Sequence, residues 1–171
     1  MEETPNHPLL TLIDLGQRAR SAQSPDELAF LAVNDTYALV PYRQAVLWWE
    51  DGGVRAVSGL VQVEKHAPFI HFLNRLGTAL STPAGEISPA PLRLIFSELD
   101  EDLAAEWSQW LPAEGLWIPL RSDVRDSGPT RGGLLLTADA AWEDNQLTLL
   151  GEWAGVWLHA WRAMFRPAPW S

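Results

Sequence analysis

At 171 residues, 47% of them apolar and 20% charged, the chain is long enough for one domain with a sizeable core and too apolar to stay disordered. A formal net charge of -10 with no offsetting basic patch excludes nucleic acid as a partner, and the absence of cysteine removes disulfides, thiolate metal sites and thiol catalysis. The acidic start MEETPNHP is no signal peptide and no apolar run nears the roughly 18 residues that span a bilayer, so the sequence predicts a soluble, cytoplasmic domain with no membrane segment in this chain.

The first predicted helix covers about Leu9 to Ala22, with Leu9, Leu12, Ile13 and Gly16 on one stripe and Leu15, Ala19 and Ala22 beside it. Ser24 as N-cap, Pro25 at the first helical position and Glu27 completing a capping box start a second helix, which Pro41 ends. The period then changes: Gln44 to Glu50 and Val54 to Leu60 read as strands joined by a tight turn at Asp51-Gly52-Gly53. Phe69, Phe72, Leu73, Leu76 and Leu80 have helical spacing after Pro68. Residues 81–92 read as a surface loop, and a short helix carries Leu103, Trp107 and Trp110 behind Asp100, Glu101 and Asp102.

Gly115 to Leu120 is the next strand, Ser122 to Arg131 a polar loop, Gly132 to Thr137 another strand, and Glu143 to Phe165 a long helix. Residues 60–64 and 92–96 are candidates for further strands. Antiparallel strands framed by helices predict an α+β fold in one domain over 1–166, with 167–171 as a tail that Pro167 separates from the helix.

The last helix carries two apolar faces. Leu147, Leu150, Ala154, Trp157, Leu158 and Trp161 lie on one; Leu149, Trp153, Val156 and Ala160 lie on the other. One face alone suffices to cover a sheet. The second therefore meets another helix, either the first helix of the same chain or a partner chain in a homodimer seam through Leu12, Trp153, Val156, Trp157 and Ala160. Several of the ten tryptophans fall at this helical spacing, which favours a packing role for them.

This order resembles the GAF domain family. The matching residues are Pro119-Leu120, a ten-residue loop, Gly133-Leu134-Leu135-Leu136, Trp142, the acidic helix start and Leu149-Leu150. Ser24-Pro25-Asp26-Glu27-Leu28 and Ala45-Val46-Leu47-Trp48 are similar to the family's second helix and first strand. The resemblance implies an antiparallel sheet of about six strands, the N- and C-terminal helices on one face, and shorter helices and loops enclosing a small-molecule pocket on the other.

Residues 27–34 and 40–47 are similar to the GAF-like domain that precedes a membrane anchor in bacterial secretion-adaptor (membrane-fusion) proteins; with no membrane segment following here, the resemblance leaves two alternatives, a domain cut from a membrane-anchored protein or a stand-alone relative. Without cysteine, the family's thiol-dependent bilin attachment and methionine sulfoxide reduction are removed, and its phosphodiesterase-type motif for cyclic nucleotides is absent.

What remains is a non-enzymatic sensory or regulatory domain with a partly aromatic ligand site at Trp48, Ser58, Phe69, Phe72, Trp117 and Thr137. The competing expectation is that these residues fill the core of a ligand-free interaction scaffold. No cofactor is assigned. His66 and His71 are five apart, which does not place two ligands on one helical face, and the acids at 98–102 lack a calcium-loop pattern, so no metal site is expected. No Ser/His/Asp arrangement stands out, so no catalytic residue is assigned.

Overall fold

The computed structural model describes residues 7–81, 90–124 and 128–165. Helices α1 (Pro8–Ser21) and α2 (Pro25–Phe30) lead into β1 (Gln44–Trp49) and β2 (Gly53–Val57). Then come α3 (Pro68–Leu80), β3 (Leu92–Arg93), α4 (Glu101–Trp110), β4 (Glu114–Val124), β5 (Gly128–Ala138) and α5 (Asp144–Met164). The strands form one antiparallel sheet of five, ordered β2-β1-β5-β4-β3.

Alternation along the strands sends apolar side chains to both faces. Leu47, Trp49, Leu116, Ile118, Leu134 and Leu136 point to the layer of α1, α2 and α5. Val46, Trp48, Trp117 and Leu135 point to the layer of α3 and α4. The expected α+β, GAF-like architecture is therefore present, with terminal helices on one face and shorter helices on the other.

The sheet has five strands where about six were expected. Residues 60–64 do not join it, because the chain turns at Gly59 (φ +80°) and the Gly59 N–H donates to Asn34 Oδ1 at 3.0 Å. Strand β2 accordingly stops at Val57 instead of Leu60. In 92–96 only Leu92 and Arg93 pair, with Trp117 and Leu116, before a 3-10 turn at Phe96–Glu98.

The polar stretch Ser122 to Arg131, expected as a loop, supplies hairpin arms: Arg121 pairs with Arg131 and Ser122 with Thr130. Backbone groups make this ladder, so a polar sequence can carry it. Residues 125–127 at its tip, 82–89 of the expected surface loop, Arg166 and the expected tail 167–171 lie outside the described residues.

The second helix was expected to run unbroken to Pro41. Its start follows expectation, with Ser24 Oγ accepting the Glu27 N–H at 3.2 Å, although the Glu27 carboxylate takes the N–H of Gln23 rather than that of Ser24. Beyond Phe30 it widens into a π-helical segment, Leu31–Asp35, and then tightens into a 3-10 turn, Thr36–Ala38. Two tryptophans of α5 claim groups in this region. Trp157 Nε1 donates to the Leu28 carbonyl at 2.7 Å, and Trp153 Nε1 donates to Thr36 Oγ1 at 2.8 Å. Thr36 Oγ1 in turn donates to the Ala32 carbonyl at 2.7 Å. These bonds satisfy buried groups that regular helix would leave to itself.

Helix α5 begins at a capping box, with the Glu143 N–H donating to Gln146 Oε1 at 2.8 Å. It packs on β4 and against α1 and α2. Trp49, Trp157 and Trp161 stack within its inner face, with centroids 5.2–6.5 Å apart and planes within 18–19°.

Candidate functional site

The face of the sheet toward α3 carries a layer of indoles seated on glycines. Trp48 and Trp117 lie side by side, centroids 6.4 Å apart and planes tilted by 52°. A Cβ at Gly133 would come within 2.1 Å of Trp117 Cζ2, and one at Gly77 within 2.4 Å of Trp48 Cδ2. Glycine inside a helix or strand sacrifices about 0.5–1 kcal/mol of propensity; here it makes room for a ring. Trp107 repeats the arrangement against Gly115, where a Cβ would sit 2.6 Å from its Cη2, and its Nε1 donates to the Pro112 carbonyl at 2.7 Å.

Of the six expected ligand residues, three meet in this layer. Trp48, Phe72 and Trp117 are buried together, at 4%, 0% and 3% exposure. Phe69 packs at the rim, half-buried against the exposed Trp110 with centroids 5.3 Å apart. Ser58 and Thr137 are elsewhere, at the start of β1. Ser58 Oγ accepts the Ala45 N–H at 2.8 Å, and Thr137 Oγ1 donates to the Gln44 carbonyl at 3.4 Å. Gln44 precedes Trp48 by four residues, roughly 13 Å along a strand, so these two hydroxyls lie at the sheet margin away from Trp48, although Thr137 shares the sheet face of Leu135 and Trp117.

One polar atom of the layer has no partner. Trp48 Nε1 is buried without a hydrogen-bond acceptor. An orphaned buried donor costs about 1–3 kcal/mol. Sequence reasoning missed the glycines that seat the rings, although a glycine inside an apolar helix or strand signals close approach of another group.

Beside the layer runs an open groove of about 860 Å³ between α3 and the start of α4, lined by residues that include His71, Asn74, Arg75, Thr78, Asp100 and Leu103. Asn74 is structural as well: its Oδ1 accepts the Val54 N–H at 2.9 Å and ties α3 to β2. Arg75 pairs with Glu106 at 2.5 Å, and its hydrogen bond holds the Glu106 carboxyl below the ordinary carboxylate range. Among the described residues no cluster of three or more metal-ligating side chains forms.

The residues expected at a dimer seam divide by burial. Trp153, Trp157 and Ala160 are enclosed within this one chain, whereas Leu12 and Val156 are half-buried where α1 meets α5. The second apolar face of α5 is thus covered by α1 and α2 of the same protomer.

No family model and no curated protein matches this sequence. Solved structures match in fold. A domain of a two-component sensor histidine kinase protein from Sinorhizobium meliloti 1021 superposes with a TM-score of 0.57 at 14% identity, over 84% of this chain and 94% of that one. The N-acylhomoserine lactone dependent LuxR family transcription factor CepR2 from Burkholderia cenocepacia does so with a TM-score of 0.56 at 15% identity, over 92% and 95%. At these identities the likeness is one of fold. No helix of the described residues is long and apolar enough to cross a membrane.

Proposed function

We propose that this chain is a non-enzymatic, GAF-like regulatory domain of the sensory type. In this reading it works as a homodimer in the cytoplasm, as part of a bacterial signalling or secretion-adaptor system, and takes a small molecule on the α3 face of its sheet. The observation that carries the ligand clause is the unpaired indole N–H of Trp48, buried beneath α3 in an aromatic layer. A ligand offering a carbonyl or carboxylate oxygen there gains a hydrogen bond that the free protein lacks. The fold shared with a sensor-kinase domain and with an acylhomoserine-lactone-dependent regulator is consistent with this reading.

A second reading, a ligand-free interaction scaffold, is favoured by the close seating of Trp48 on Gly77 and of Trp117 on Gly133. A thermal-shift screen of nucleotides, aromatic acids and haem separates the two. Ligand at a hundred times its Kd stabilises by about 2.7 kcal/mol, or roughly 5–11 °C for a domain of this size. The sensory reading expects such a saturable rise, reduced in Trp48→Phe. A flat response across the screen, with native mass spectra showing unliganded protein, supports the scaffold.

A further inference from the structure

The tight turn between β1 and β2 holds a reactive pair in open solvent. Asp51 is the one Asp or Asn of the chain that a glycine follows. Asp51 and Gly52 are both exposed. The Asp51 carboxylate enters no ion pair or hydrogen bond among the described residues. The Gly52 N–H likewise donates to no acceptor among them. A Cβ at Gly52 would meet nothing within 4 Å, so no neighbour crowds this residue. Its φ of +98° lies where glycine moves freely and other residues do not. Acids elsewhere are restrained: Asp26, Asp35, Asp139 and Asp144 each pair with an arginine. Asn34 and Asn74 are held by backbone N–H groups.

We propose that Asp51 is a modification site, converted spontaneously to isoaspartate through a succinimide. The Gly52 nitrogen attacks Asp51 Cγ, with the carboxyl in its neutral form. The N–Cγ bond forms, the Cγ–OH bond breaks, and the amide proton leaves with the hydroxyl as water. Water then opens the ring at one of its two C–N bonds. Breaking the Cγ–N bond restores aspartate. Breaking the original peptide C–N bond leaves the main chain running through Cβ and Cγ. The water released in the first step is returned in the second, so the product has the mass of the starting chain and no other reactant enters. The main chain gains one methylene between Trp49 and Gly53, the pair that closes the β1–β2 ladder. Gly53 lies against Asn74, where a Cβ would sit 2.6 Å from Oδ1, and the next N–H, that of Val54, donates to the same oxygen at 2.9 Å. The lengthened turn thus bears on the bond that ties α3 to the sheet, and α3 is the helix that seats Trp48 against Gly77.

The test is to warm the folded 171-residue chain in mildly acidic buffer, and the same chain in denaturant beside it, and to map the products by peptide mass spectrometry. The peptide holding Asp51 should first appear one water lighter. It should then appear at its original mass but with a shifted retention time. That second form should resist an aspartate-specific endoprotease at Asp51 and accept a methyl group from an isoaspartyl-specific methyltransferase. Asp51→Glu keeps the charge and should abolish the label, because a six-membered ring closes far more slowly. Asp51→Asn should reach the same isoaspartyl product faster, releasing ammonia in place of water. Amide hydrogen exchange should speed up at Val54 in the converted chain. Label in the denatured chain but none in the folded one overturns the proposal, since the turn would then protect the pair; so does a label that persists in Asp51→Glu. Conversion with unchanged exchange at Val54 overturns the link to α3 and leaves the modification site in place.

Discussion

Gly77→Ala asks how closely α3 seats Trp48 on the sheet in the absence of ligand, because close packing and open space give effects of opposite sign. Alanine is the better helix former by about 0.8–1 kcal/mol, so in open space this exchange stabilises α3. The structure places Trp48 Cδ2, Cε2 and Cγ at 2.4, 2.5 and 2.7 Å from the new methyl. Carbon atoms rest about 3.5–4.0 Å apart, so the ring has to retreat by roughly 1 Å. It has little room to do so: Trp48 is 4% exposed, and Trp117 beside it lies against Gly133. Overpacking of this kind costs about 1–3 kcal/mol, and clashes this short sit at the upper end. The expected net effect is destabilisation by about 1–2 kcal/mol, a fall in Tm of roughly 2–8 °C at this chain length. Guanidinium unfolding followed by far-UV circular dichroism reads it without interference from altered indole fluorescence. In a Trp48→Leu background the same exchange should become neutral or stabilising, because the neighbour it strikes is gone. A stabilising Gly77→Ala in the wild-type background would refute the packing argument and show space between α3 and the sheet.

Thr36→Val removes the acceptor of Trp153 Nε1 while nearly conserving volume, and stranding that buried donor should cost about 1–3 kcal/mol in chemical denaturation; an unchanged midpoint would refute the hydrogen-bonded account of the π-helical segment. Tyr42→Phe tests a pH effect. Burial raises the Tyr42 phenol above its ordinary value, and its hydroxyl donates to the Val33 carbonyl. The neutral phenol is thus favoured in the folded state, so its contribution is complete below pH about 10 and is lost as pH rises toward its folded pKa. The wild type should therefore lose stability relative to Tyr42→Phe between pH about 10 and 11, and parallel stability curves over that range would contradict the assignment.

Helix starts were the most legible part of the sequence, because they are local chemistry. Pro8, Pro25 and Pro68 each open a helix, and Ser24 caps one through its own side chain. The turn at Gly52 and Gly53 was equally readable, since both residues hold positive φ angles of 98° and 80°. The failures share one cause: the deciding contact is distant in sequence. Residues 60–64 look like a strand until Asn34 draws Gly59 away. Nothing within residues 24–41 foretells that tryptophans more than a hundred positions later will claim Leu28 and Thr36. Trp48, Phe72 and Trp117, grouped in the sequence as apolar positions, do lie together in one buried layer. Ser58 and Thr137 lie toward the start of β1; alternation along a strand gives the face of a residue but not its distance from a given ring.

The helix wheel of α5 was read correctly as having two buried faces, yet that does not identify who covers the second. The structure does. Trp153 and Trp157 are held by Thr36, Leu28 and Trp49, while α1, which also packs on α5, leaves its own Leu9, Leu10 and Ile13 exposed. Burial in one helix thus transfers the assembly question to the other. The two questions about this protein, ligand and dimer, also meet physically at a single peptide bond. Trp48 faces the α3 layer, and Trp49 faces the opposite way into the stack with Trp157 and Trp161. Both indole N–H groups are buried without acceptors. One residue along β1 thus separates the ring buried under α3 from the ring stacked on Trp157 and Trp161 of α5.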